Sequence, residues 1–243
     1  MRGSGRERAV RDGAPMRAAP ARALSAASAG FLAISGAHLG TQLLGLKGLA
    51  DLTQVLLMPL LAAALVLATA SPRPRLVRLM LLGLGFSWLG DSVPRLLAGE
   101  AGFLAMLGGF LIAQCLYAAA FWPFRDRSLL RRPGLALIYL AVAGVIVVLC
   151  APAAGTLLPA VAVYAAVIAL MAVLATGLGA LAGIGAAVFV LSDALIALNS
   201  FGVLTLPGHG FWVMLTYLAA QTMLILAVHR QVRASGEAPS LRG

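Results

Sequence analysis

The sequence predicts an all-α bundle of about eight transmembrane helices, and three observations carry that prediction. Of 243 residues, 61% are hydrophobic and only 11% charged, less than half of the roughly 25% charge that a soluble domain carries. Apolar runs long enough to cross a hydrocarbon core of about 30 Å recur from about Ala29 to His229. The basic residues cluster between alternate runs, as the positive-inside rule requires of a polytopic chain.

The elements follow in order. Arg2, Arg6, Arg8, Arg11, Arg17 and Arg22 stand among Gly, Pro and Ala. Such a segment buries nothing, so residues 1–22 are expected to be a disordered basic cytoplasmic tail. Apolar spans are then predicted near Ala29–Leu46, Leu52–Ala70, Leu76–Leu97 and Gly102–Trp122. A second set follows near Leu135–Cys150, Thr156–Ala175, Leu178–Ser200 and Phe211–His229. Ser71, Pro72 and Pro74, then Arg131 to Gly134, then Pro207 and Gly208 punctuate them. Between Leu135 and Asp193 no charge interrupts, so the spacing alone leaves seven helices open beside eight.

Charge decides. Eight spans put both termini in the cytoplasm, together with every basic residue except Lys47 and Arg95. Seven would strand Arg230, Arg233 and Arg242 outside. The expected limits are therefore a tail at 1–22, a transmembrane domain at 23–231 and a C-terminal cytoplasmic tail at 232–243. Arginine far outnumbers lysine, and Ala and Gly abound. This bias points to a GC-rich bacterial genome and hence to a bacterial plasma membrane.

The net charge of +10 does not mark a nucleic-acid binder, because no basic patch carries interleaved aromatics. Cys115 and Cys150 lie inside apolar runs and are expected to be small buried hydrophobes. His38 is expected to be a structural histidine. No phosphate loop, nucleophile elbow, HExxH or CxxC is present, so no cofactor and no metal are expected.

The two halves echo each other. Phe103, Met106, Leu107, Ala113 and Gln114 of the fourth span match Phe211, Met214, Leu215, Ala220 and Gln221 of the eighth. A four-plus-four parallel repeat is the expected origin. It places the third and seventh spans in equivalent positions, and those spans hold the only two carboxylates well inside the apolar runs, Asp91 and Asp193. An intramembrane aspartate costs about 2.5–3.5 kcal/mol on insertion scales and marks function or a specific pairing. Both lie about 20 Å along helices that run in the same direction, so the carboxyls can face each other if those helices touch. Gln114 and Tyr117 on the fourth span, and Tyr217 and Gln221 on the eighth, form polar stripes one turn apart. Such stripes serve interhelical bonding or line a pocket.

Phe86-Ser-Trp-Leu-Gly-Asp91, Gln114-Cys-Leu-Tyr117, Phe189-Val-Leu-Ser-Asp193 with Asn199 beyond it, and Tyr217-Leu-Ala-Ala-Gln221 resemble the YhhN family of membrane proteins. The likeness runs from about Leu52 to Val228. That family includes lysoplasmalogenases, which hydrolyse the vinyl ether bond of lysoplasmalogens. The resemblance implies that Asp91 and Asp193 are catalytic. It also implies that Gln114, Tyr117, Ser192, Asn199, Tyr217 and Gln221 bind a lysophospholipid or ether-lipid substrate, and the position of Arg95 near Asp91 adds it to that set. Two positions depart from the common pattern: Gln114 stands where many members have histidine, and Gln54 where many have lysine.

A carboxyl pair suits that reaction. Protonation of the vinyl ether carbon gives an oxocarbenium ion, and glycosidases divide the same labour between two acids. Asp193 lies in an apolar run and is expected to be the proton donor. Asp91, beside Ser92 and one turn from Arg95, is expected to be the ionised partner. Arg95 is expected to snorkel to the interface, to pair with Asp91 or to hold the lipid phosphate. Three other readings compete. A proton-coupled or small-molecule transporter can use the same pair, and a non-catalytic membrane partner needs neither acid. An intramembrane aspartyl protease is disfavoured by Trp88, which fills a glycine position of its motif.

Overall fold

Without water, each backbone N–H and C=O inside a bilayer must find its partner within the protein, and helices do this locally. The computed structural model describes residues 15–237 and follows that rule, with eight α-helices among them. They are α1 (Pro15–Leu43), α2 (Lys47–Ala68), α3 (Arg75–Ser92) and α4 (Gly99–Phe121), then α5 (Pro133–Ala154), α6 (Leu158–Ala175), α7 (Ala180–Ser200) and α8 (His209–Glu237). Residues 1–14 of the expected N-terminal tail and 238–243 of the C-terminal one lie outside the described residues. The helices reach into both expected tails, since α1 starts at Pro15 and α8 runs to Glu237.

By length and apolar character, seven helical stretches among the described residues suit a membrane crossing. The fifth of them, Pro133–Leu178, is 46 residues long. As one rod it would measure about 69 Å, more than twice the hydrocarbon core. Gly155 resolves this. Its φ of +50° belongs to the region that side chains avoid, and the short 3-10 turn Gly155–Leu157 folds α6 back against α5. The stretch is therefore two helices, and the described residues hold eight in all.

Helices adjacent in sequence pack on one another within each half, and α4 against α6 joins the halves. At one end the backbone N–H of Leu129 donates to Thr176 Oγ1 at 2.9 Å, which clasps the α4–α5 connection to the α6–α7 turn. The core gathers Leu57, Met80, Phe121, Met171, Phe189 and Leu224, all with almost no exposed surface. By contrast Leu137, Leu140, Val145 and Val148 of α5 face outward, as lipid-facing side chains do. Cys150 is buried as expected, whereas Cys115 is exposed on the outer side of α4.

The exposed residues Arg75, Glu100, Arg127 and Gly208 report on this topology. Single cysteines at Arg75 and Arg127 are expected to react with an impermeant maleimide from one side of the membrane, and those at Glu100 and Gly208 from the other. With cytoplasmic termini the first pair labels from the cytoplasm. Labelling of Arg127 and Gly208 from the same side would remove one crossing between α4 and α8.

Candidate functional site

Asp91 lies on the inner face of α3, one turn beyond Ser87, and is 7% exposed. A buried carboxylate needs donors, and two neighbouring helices supply them. From α2, Gln54 Nε2 donates to Asp91 Oδ1 at 2.9 Å. From α8, the Tyr217 hydroxyl donates to Asp91 Oδ2 at 2.9 Å. Trp88 Nε1 donates to the Val55 carbonyl at 2.9 Å and pins α3 to α2 beside this contact. The Tyr217 ring is held edge-on by Phe110 and Phe189.

Arg95 does not pair with Asp91. The α-helix stops at Ser92, and Pro94 opens a 3-10 turn over Val93–Leu96. A 3-10 turn advances about 120° per residue rather than 100°, so Arg95 swings off the Asp91 face towards α2. There its Nε donates to Asp51 Oδ1 at 2.8 Å in an ion pair, and its Nη2 donates to Gln54 Oε1.

Asp91 lies at the foot of a cavity of about 370 Å³. Its polar wall includes Gln42, Gln54, Arg95, Asn199 and His209. These residues come from the ends of α1, α3 and α7 and the beginnings of α2 and α8, so the cavity occupies one end of the bundle. His38, fully buried, bonds Thr53 Oγ1 at 2.9 Å through one ring nitrogen and Gln42 Nε2 at 3.3 Å through the other. It is a satisfied structural histidine that holds Gln42 at the mouth.

Asp193 occupies different surroundings. It borders a 50 Å³ cavity lined by Phe103, Leu107, Val161 and Phe201, and a 40 Å³ one on the α5 side. Its carboxylate accepts from the Tyr164 hydroxyl of α6. The condition for facing carboxyls, α3 packed on α7, is not met among the main helix contacts. α3 packs on α2 and α4 and touches α8, while α7 packs on α8 and α6. Met106, Phe110 and Ile196 form a shared wall between the large cavity and the apolar one. The two carboxyls are therefore not hydrogen-bonded to each other, although they interact electrostatically across that wall. The halves do match in one respect: each aspartate on a third helix takes a donor from the second helix of its own half, Gln54 for Asp91 and Tyr164 for Asp193.

The remaining sequence candidates divide. Arg95, Ser192, Asn199 and Tyr217 line the large cavity with Asp91. Ser192 Oγ is committed to the Val213 carbonyl at 3.0 Å, and Asn199 Oδ1 accepts from Thr205 at 2.6 Å. Tyr117 and Gln221 reach neither cavity around the aspartates. They close a buried ring with Ser87 beneath Asp91, with Tyr117 donating to Gln221 Oε1 at 3.1 Å and Gln221 Nε2 to Ser87 Oγ at 3.2 Å. Gln114 is fully buried beside the Tyr164 hydroxyl, with neither amide atom in hydrogen-bonding geometry.

Sequence reasoning missed Tyr164, Gln42 and His209 and left Gln54 outside the site. Tyr164 had a signal, being the one side chain in α6 that carries a hydroxyl. Gln54 had one too, as a polar residue one turn before Met58 on the buried face of α2. Gln42 and His209 had none, because only the meeting of α1 with α8 brings them together.

The arrangement is a carboxylate with two donors on the wall of a partly polar cavity, beside a second carboxyl in an apolar one. Such a pair can pass a proton to a bound group and steady the charge that results. The family model of the YhhN family matches residues 49–228, which takes in most of α2, all of α3 to α7, the greater part of α8 and both aspartates. No curated protein and no solved structure matches the chain. The match covers most of the chain, and the protein belongs to the YhhN family.

Proposed function

We propose that this membrane protein hydrolyses the vinyl ether bond of lysoplasmalogen-like lysolipids, releasing a fatty aldehyde, in the plasma membrane of a bacterium with both termini in the cytoplasm. The observation that carries the reading is the division of the site by the Met106–Phe110–Ile196 wall, with the more polar cavity on the Asp91 side and an almost wholly apolar one on the Asp193 side. An amphiphile fits that division. Its head lies among Gln42, Asn199 and His209, the first carbons of its chain lie against Phe103 and Leu107, and its ether linkage lies between the carboxyls.

The chemistry follows from the surroundings of each acid. Asp193, in the apolar cavity, gives its proton to the vinyl carbon beta to oxygen. Both Asp91 oxygens accept from donors, an arrangement that accommodates an ionised carboxylate, and this charge steadies the oxocarbenium ion. Water adds to the cation and gives its proton to Asp91, leaving a hemiacetal. The hemiacetal then collapses. Its hydroxyl proton returns to Asp193, and the departing glycerol oxygen takes the proton from Asp91, which leaves aldehyde, alcohol and both acids as they began.

Purified protein in detergent, given alkenyl lysolipids, is expected to release one aldehyde per lysolipid consumed, read by mass spectrometry. It is expected to leave the saturated ether analogue intact, since that bond cannot form the cation by protonation at carbon. Equal cleavage of both analogues, or none of either, would overturn the reading. Uptake that requires sealed vesicles and a gradient would favour the carrier instead.

A further inference from the structure

We infer that Arg95 is a positioning residue that acts on Asp91 through the side-chain amide of Gln54. The inference rests on the hydrolase reading for its kinetic consequence, but its geometry stands apart from it. A glutamine amide has a donor end and an acceptor end: an ionised carboxylate accepts only and takes the donor end, whereas a protonated carboxyl can take either. Here Arg95 Nη2 occupies Gln54 Oε1, which leaves Nε2 to face Asp91 Oδ1 at 2.9 Å. Without the guanidinium the amide can turn over and offer its oxygen to a protonated Asp91, which favours the neutral carboxyl. Asp51 completes the device. Its ion pair with Arg95 Nε at 2.8 Å fixes the guanidinium plane at the cavity rim. The result is a series from Asp51 through Arg95 and Gln54 to Asp91, in which each bond polarises the next.

The charged groups around Asp91 are Arg95 on its own chain segment, Asp51 from α2 and Asp193 from α7, with the Tyr217 hydroxyl from α8. Arg95 is the cation in that group, so its orientation of Gln54 is the means by which positive charge reaches the carboxylate. A lysine at position 54 would put an ammonium where Gln54 Nε2 now stands and make the arginine dispensable for that purpose. This gives the relay a signature that neither a lipid-binding role nor a packing role shares.

The experiment compares wild type, Arg95→Leu, Gln54→Lys and the Arg95→Leu/Gln54→Lys double variant. On an alkenyl lysolipid, Arg95→Leu is expected to lower kcat about ten- to hundred-fold, the worth of a charge-assisted hydrogen bond, with KM little changed. The double variant is expected to recover most of kcat. A rise in KM with kcat held would show that Arg95 binds the substrate phosphate, and failure of the double variant to recover would show a packing role. Either outcome overturns the relay. A second readout needs no substrate. Dicyclohexylcarbodiimide adds to the protonated form of a carboxyl group, and its adduct on Asp91 is read by peptide mass spectrometry. The adduct is expected to form faster in Arg95→Leu than in wild type and to slow again in the double variant. Equal rates in all four proteins would overturn the relay even if the wild type hydrolyses the lipid. A wild type silent on every alkenyl lysolipid would overturn the hydrolase reading and leave the adduct rates to decide the relay.

Discussion

Asp91→Asn and Asp193→Asn are each expected to lower kcat/KM for an alkenyl lysolipid by at least about a thousand-fold, within the range that general acid–base groups contribute. The substitutions test chemistry rather than folding, because the structure shows how each is accommodated. At position 91 the asparagine oxygen can accept from Gln54 Nε2, whose direction is set by Arg95. The asparagine NH₂ then meets the Tyr217 hydroxyl, which can accept as readily as donate. At position 193 the asparagine oxygen still accepts from Tyr164. Both variants should therefore elute as the wild type does in size exclusion. The double variant should be little worse than the poorer single one, since groups that act as a unit are not additive. Full activity in either single variant would end the two-aspartate mechanism.

Gly109→Ala is expected to cost stability and activity together, while Gly108→Ala next to it costs neither. A Cβ on Gly109 would stand 2.7 Å from the Cα of Gly90 and 2.8 Å from its backbone nitrogen. Backbone cannot rotate out of the way as a side chain does, so α4 must move off α3, at about 1–3 kcal/mol for overpacking. The residue after Gly90 is Asp91, and whatever part of the displacement α3 takes up moves it away from Gln54 and Tyr217. At Gly108 a Cβ meets nothing within 4 Å, and alanine there gains a fraction of a kcal/mol in helix propensity. Thermal unfolding in detergent and kcat/KM on the same preparations check both substitutions. Equal behaviour of the two variants would show that the Gly90–Gly109 contact does not set the site.

The aspartates were legible in the sequence because a carboxylate inside an apolar run conflicts with its surroundings and stands out without any knowledge of packing. Their partners were not. Gln54, Tyr164 and Tyr217 lie on three helices, and the carboxylate each one reaches depends on how those helices rotate about their axes. The Arg95–Asp91 pair, one of the readings open to Arg95, failed for a local reason with a tertiary consequence. Spacing of four residues stacks side chains only while the α-helix continues, and Pro94 ends it in a tighter turn. Tyr117 and Gln221 were selected as lining residues because a polar stripe on an apolar helix looks the same whether it borders a cavity or bonds a neighbouring helix. Here it bonds a neighbour, through Ser87.

By itself the sequence determined the class of protein, the helical crossings and the two acids on the third and seventh of them. Those features depend on hydropathy, charge and helix breakers, which act over a few residues. The tertiary structure decided that α3 and α7 stand apart rather than packed together, that a wall of Met106, Phe110 and Ile196 divides the site, and that Arg95 faces Gln54. Apolar helices can slide and rotate against one another with little change in transfer free energy, because lipid solvates their faces as well as a neighbour does. Their final setting comes from close-packed glycines such as Gly90 and Gly109 and from buried hydrogen bonds, and these form only when distant segments meet.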